Sequence, residues 1–143
     1  MNHSAVKDLK RIGSLRNACF QTFAMFHAAL QEDDLSKPAW TVGELQNGGD
    51  SFEATFAAQR LLCVCDATYS TEKGVLRFYR PGPPGVKELE ECGSVAFDPR
   101  VRMAELEMPT AYGGKSSAFL NDRDGAQEVL ATFFLRALGK TEG

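Results

Sequence analysis

Histidine and cysteine are scarce in this chain, with two of the first and four of the second among 143 residues. A metal centre draws mainly on these side chains, and neither His3 nor His27 stands at a familiar ligand spacing, so no metal and no cofactor are expected. Cys19, Cys63, Cys65 and Cys92 are too thinly spread for the disulfide framework of a short secreted domain, and a reducing, cytoplasmic setting is the simpler expectation. Positive charge is not in excess either. The formal net charge is −3, which offers no general attraction to nucleic acid or to an anionic membrane. No apolar run approaches the roughly 20 residues of a membrane-spanning helix. A G-x-S-x-G elbow, an H-E-x-x-H helix and a paired Cys-x-x-Cys are all missing, so the motifs of several hydrolases, zinc proteases and redox enzymes are not announced. Repeats, low-complexity stretches and long charge runs are lacking too, which argues against solenoids and disorder.

What is present fits a single globular domain over residues 1–143. Hydrophobic residues make up 43% and charged residues 24%, near the average for such domains. Near the N-terminus Lys7, Lys10, Arg11 and Arg16 face only one acid, Asp8, ahead of "ACFQTFAMFHAAL". That order suits a basic leader with a short apolar core, but Gln21, Thr22 and His27 interrupt it and no small-residue cleavage site follows. The segment is read instead as a first helix over 4–31. Ile12, Leu15, Cys19, Phe23, Phe26 and Leu30 recur at three- and four-residue steps, widened by Phe20 and Met25.

After "SKPAW" come the strand-like pieces "WTVGELQ", "SFEATFAA", "LLCVCDATY" and "VLRFYR", with connections short enough for antiparallel hairpins. "PGPPG" (81–85) breaks the pattern. "VKELEEC" (86–92), followed by Gly93, suits either a short helix capped by glycine or a strand, and the helix is preferred. "SVAFDPRVRMAELEM" returns to strand character, interrupted at Asp98-Pro99. A long loop, "PTAYGGKSSAFLND", leads to a last helix over 124–138, capped by Asp122 or Asp124, with Val129, Leu130, Phe133, Phe134, Ala137 and Leu138 on a wide apolar face. The expected fold class is α+β: two layers, a mainly antiparallel β-meander of about five to six strands packed by an N-terminal and a C-terminal helix.

The turns suggest a register. A Gly48-Gly49 loop pairs Leu45 with Phe52; a turn at Gln59-Arg60 sets Phe56 opposite Cys63; a turn at Glu72-Lys73 sets Ala67 opposite Phe78. A three-residue loop around Gly74 would shift the last of these. Alternate residues share a face, so Phe52, Ala54, Phe56, Leu61, Cys63, Cys65, Ala67, Tyr69, Leu76 and Phe78 form a core. Cys63 and Cys65 then behave as small hydrophobes. The opposite face carries Glu44, Glu53, Asp66, Thr68, Arg77 and Tyr79. In this register Glu44, Glu53 and Asp66 stand in a row that ends at Tyr79. Directly opposed carboxylates repel, which raises a pKa as acid–base chemistry requires. Glu53, Asp66 and Tyr79 are therefore the catalytic candidates, with Glu44 and Arg77 as ligand-binding candidates and Arg77 placed to hold an anion. An ordinary solvated sheet face is the plainer reading of the same residues.

Three other signals are weaker. "GGKSS" ends like a phosphate-binding loop, but Pro109 occupies the place of its first glycine and no clear helix starts at Ser116. His27 lies among phenylalanines, where a hydrogen-bonded structural histidine is the commoner outcome than a general base. "RFYR" mixes arginine with aromatics, yet Phe78 belongs to the core and only Tyr79 is left to stack on a base. The element order resembles, in gross outline, that of the small acidic dimeric chaperones of bacterial secretion systems; no motif carries the resemblance and no residue role follows from it.

Two functions remain. One is a non-catalytic homodimeric binding module for a protein or a small apolar ligand, since both helices carry more apolar face than one sheet can cover. The other is a small-molecule enzyme working from the carboxylate-rich face, with Arg77 as anion anchor; for that, the face must line a cleft.

Overall fold

A computed structural model of the chain describes residues 3–32, 37–82, 85, 88–107 and 115–142. Helix α1 (His3–Leu30) runs first, with Cys19, Phe23, Phe26 and Leu30 wholly buried, as their spacing dictates. Its first turns are not covered: residues 4–11 are exposed. Strands β1 (Thr41–Val42), β2 (Ser51–Phe56), β3 (Gln59–Thr68), β4 (Lys73–Pro81), β5 (Leu89–Asp98), β6 (Met103–Glu107) and β7 (Lys115–Phe119) follow, and helix α2 (Arg123–Glu142) closes the chain. The strands form one seven-stranded sheet in sequence order, every neighbour antiparallel. Both helices pack on one face of it. The result is the α+β meander that the sequence implies, with a strand more than expected.

Two segments differ from the sequence reading. Leu89–Cys92, expected within a helix, is the first part of β5. Glutamate and leucine are good helix formers, but intrinsic propensity amounts to only about a few tenths of a kcal/mol per residue, and pairing with β4 overrides it. Arg80 holds Glu90 at 2.9 Å across the ladder, while Cys92 is turned into the core. Gly93 is not a helix cap. It faces Phe78 while Tyr79 faces Glu91, so Cys92 is the extra residue of a β-bulge. The second correction concerns 115–119, read as part of a loop. These residues form β7 and pair along their whole length with β6. The rest of that expected loop up to Gly114, with Pro83 and Pro84 of the earlier break and Val86 and Lys87 at the start of the expected helix, lies outside the described residues.

The hairpin registers also differ, in an instructive way. Phe52 rather than Phe56 faces Cys63, and Cys63 rather than Ala67 faces Phe78. Both displacements are even, so every residue keeps its face. The second turn falls on Ala57-Ala58, both left-handed at φ 50° and 67°, a geometry for which the sequence offers none of the usual Asn-Gly signal. The third is a longer loop, Tyr69 to Glu72, which leaves Gly74 inside β4. There a side chain would overlap the Phe97 ring. At the first turn Gln46 bridges Ser51 as expected, but the β1–β2 ladder beyond it is displaced by one residue, Val42 facing Ala54 and Thr41 facing Thr55.

The core is the inner sheet face plus the helices. Phe23 and Phe26 pack on Phe52, with ring centroids 5.5 Å and 6.0 Å away. Phe133 of α2 lies flat on Phe78 at 4.0 Å, and Phe134 meets Trp40 and Phe56. Asp122 caps α2: its carboxylate accepts from the Gly125 N–H at 3.3 Å.

Replacing Ala57-Ala58 by Asn-Gly removes two left-handed alanines and should stabilise the protein by about 1 kcal/mol in urea unfolding. Gly74→Ala should do the reverse, costing about 1–3 kcal/mol through overlap with Phe97.

Candidate functional site

The outer sheet face holds the residues singled out from the sequence, in a new arrangement. Glu53 faces Leu62, Asp66 faces Val75, and Tyr79 lies between Leu62 and Glu91. The row of directly opposed carboxylates is therefore not formed. It required pairings displaced from those observed, and in their place each acid has an apolar neighbour across the ladder. Glu44 is exposed on the connection between β1 and β2.

Arginines organise the charges that remain. Both oxygens of Glu53 accept from Arg60 Nη2 at 3.0 Å. Arg77 sits between two acids, 4.0 Å from Asp66 and 3.5 Å from Glu91. Of the expected constellation, then, the structure brings together Asp66 and Arg77 and adds Glu91. Reading 86–92 as a regular strand in phase with Val95 and Phe97 would not have revealed this, because Glu91 reaches the outer face beside Tyr79 only through the bulge at Cys92. Asp66 also accepts from the Ala67 N–H at 2.9 Å. These pairs are solvent-exposed, and each contributes about 0–1 kcal/mol. Their chemical capacity is to fix a pattern of alternating charge around the apolar centre Leu62, Val64 and Val75.

The thiols occupy the other face. Cys63 and Cys65 point into the core, and Cys65 lies 3.8 Å from the Cys19 carbonyl oxygen. All four cysteines are free and buried. Burial pushes the Cys19 thiol up from 9.0 to about 11. Cys63 and Cys65 are raised further, chiefly by the same loss of water. A thiolate, the reactive form, is strongly disfavoured at these positions. His27 is likewise engaged: its Nε2 is 2.7 Å from the Gly43 carbonyl oxygen, which can only accept, so that nitrogen carries the proton. The imidazole also packs on Phe52 at 5.1 Å, tying the end of α1 to the strand edge.

A separate feature lies between β5 and β6, where a cleft of about 460 Å³ is lined by residues of both strands and of α2. Sequence reasoning missed it, having placed no ligand near Arg136 or Val95. Comparison of the chain with family models, with curated proteins and with solved structures finds no match to any of the three.

Native protein at pH 8 should react with 4,4′-dithiodipyridine at least about a hundredfold more slowly than protein in guanidinium, where all four thiols respond. The raised Cys19 pKa also fixes a sign. The unfolded thiol loses its proton near pH 9 and the folded one only near 11, so the unfolded state binds fewer protons between them and stability falls as pH rises through that window. Urea midpoints at pH 8, 9 and 10 test this, and a Cys19→Ala variant should show a shallower fall.

Proposed function

We propose that the protein is a non-catalytic binding module that works as a homodimer, two copies meeting through the outer faces of their sheets. The observation that carries this reading is the composition of that face. Leu62, Val64, Val75 and Tyr79 are half-buried and contiguous through the ladder, and Glu53, Asp66, Glu91, Arg60 and Arg77 surround them. A patch bearing both signs of charge about an apolar centre can oppose itself across a two-fold axis, with the acids of one copy near the arginines of the other. The apolar surplus foreseen from the helices is mostly absorbed by the core, although Val6, Leu9 and Leu135 stay exposed on them; the outer sheet face adds a half-buried apolar area ringed by charge.

The spread of the carboxylates favours binding over catalysis. An enzyme using Glu53, Asp66 and Tyr79 needs them converging in a cleft, whereas here Glu53 is held by Arg60 and Asp66 stands near Arg77 on an open face. No described helix is long and apolar enough to cross a membrane. Four free, buried thiols accord with a reducing compartment, and the cytoplasm is the proposed location.

Native mass spectrometry and sedimentation at micromolar concentration should give a dimer. Val64→Lys buries a charge at the centre of the contact and should raise the dissociation constant about a hundredfold or more, with a thermal midpoint in the monomer close to its parent's. A wild-type monomer at these concentrations, or a variant dimerising as its parent does, would overturn the sheet-face contact.

A further inference from the structure

β5 and β6 part company after two rungs. Phe97 pairs with Ala104 and Asp98 with Met103. Beyond these the strands diverge, although β6 continues to Glu107 in full register with β7. The cleft opened by this divergence, about 460 Å³, falls within the roughly 300–1,000 Å³ typical of small-molecule sites. Val95, Met103 and Leu106 line it from the strands, while Phe133 and Arg136 reach it from α2.

The chemistry of the lining is specific. One face of Phe133 is occupied by Phe78, flat at 4.0 Å, and the Arg136 guanidinium lies over the ring at 4.7 Å, which leaves it the opposite face. Gly93 makes room for this arrangement. At φ 151° it adopts a backbone that disfavours side chains, and a Cβ there would lie 2.9 Å from Arg136 Nη1 and 3.0 Å from Phe133. Among the described residues no carboxylate pairs with Arg136. The two acids of the cleft are engaged elsewhere: Asp98 accepts from the Arg100 N–H at 2.9 Å, and Glu105 has an interaction of its own. The structure thus holds a half-buried guanidinium, fixed on an aromatic ring and with no carboxylate partner among the described residues, at one end of a partly apolar cavity.

We propose that this cleft binds an amphipathic organic anion, whose carboxylate, sulfonate or phosphate head sits on Arg136 and whose apolar body lies along Val95, Met103, Leu106 and Phe133. A planar guanidinium is suited to such heads because it donates two parallel hydrogen bonds. Lys73 marks the far end, beside the Gly74–Phe97 rung, and does not anchor the head. The inference supplies a ligand class for the binding-module reading and stands whether or not two copies pair.

The test is a titration of the full chain with 8-anilinonaphthalene-1-sulfonate, followed by fluorescence and by amide chemical shifts, beside its neutral counterpart N-phenyl-1-naphthylamine. Shifts are expected at Ser94–Phe97, Met103–Leu106 and Phe133–Arg136. The sulfonate should bind more tightly than the neutral probe, Arg136→Gln should weaken it about tenfold or more, and Lys73→Gln should change it less than about threefold. Arg136→Lys, which keeps the charge and loses the fork, should fall between wild type and Arg136→Gln. If Arg136→Gln does not fold, the wild-type shifts and Arg136→Lys decide. Shifts confined to Leu62, Val64 and Val75, equal affinity for the two probes, or a loss produced by Lys73→Gln and not by the Arg136 variants would each overturn the proposal. The sedimentation result leaves all of these readouts unaffected, so failure of the dimer and failure of the ligand site are distinguishable.

Discussion

The ring of Phe133 lies flat against that of Phe78, and this contact seats the C-terminal helix on the middle strand of the sheet. Much else follows from it. The neighbouring Phe134 is brought to Trp40 and Phe56, which ties β1 and β2 to the same helix. Arg136, one turn further on, is left over the free side of the Phe133 ring. Aromatic pairs of this kind contribute about 0.5–1.5 kcal/mol beyond the area they bury, but their larger effect here is positional. Two glycines accommodate the aromatic layer: Gly74 under Phe97, and Gly93 beneath Phe133 and Arg136. Side chains that small are what let a sheet carry rings so close to its backbone.

The sequence makes the two faces of the sheet legible because the pleat repeats every two residues. Phe52, Ala54, Leu61, Cys63, Cys65, Leu76 and Phe78 are all buried as alternation requires. Tyr69 departs from the pattern because β3 ends before it and the tyrosine belongs to the turn, 44% exposed. Register is another matter. Alternation is blind to a slip of two, and the Ala57-Ala58 turn carries no local signature. The expected line of carboxylates depended entirely on that register, so it dissolved when the hairpins closed elsewhere. Arg77 beside Asp66 survived, since diagonal neighbours on one face persist through several pairings.

The first part of β5, the whole of β7 and the cleft were not legible, for different reasons. "VKELEEC" satisfies helix propensity as well as strand alternation, and only the arginines of β4 decide between them, by holding Glu90 and Glu91 across the ladder. "KSSAF" is short and largely polar, with little apolar content to mark it as a strand. The cleft arises where two paired strands separate and a helix distant in sequence fills in beneath. No window of residues contains that information, because neither the separation nor the placing of Arg136 over Phe133 is a property of any one segment.

The unbroken order β1 to β7 bears on how the chain finds this structure. Each strand needs only the one just before it, so pairing advances through short loop closures, a topology associated with rapid folding. A growing chain can therefore add strands to an existing edge as they emerge. The exception is the contact between α1 and α2, which joins the two ends of the sequence. The first helix must wait, its phenylalanines only partly covered by the early strands, until the last helix arrives to complete the apolar layer.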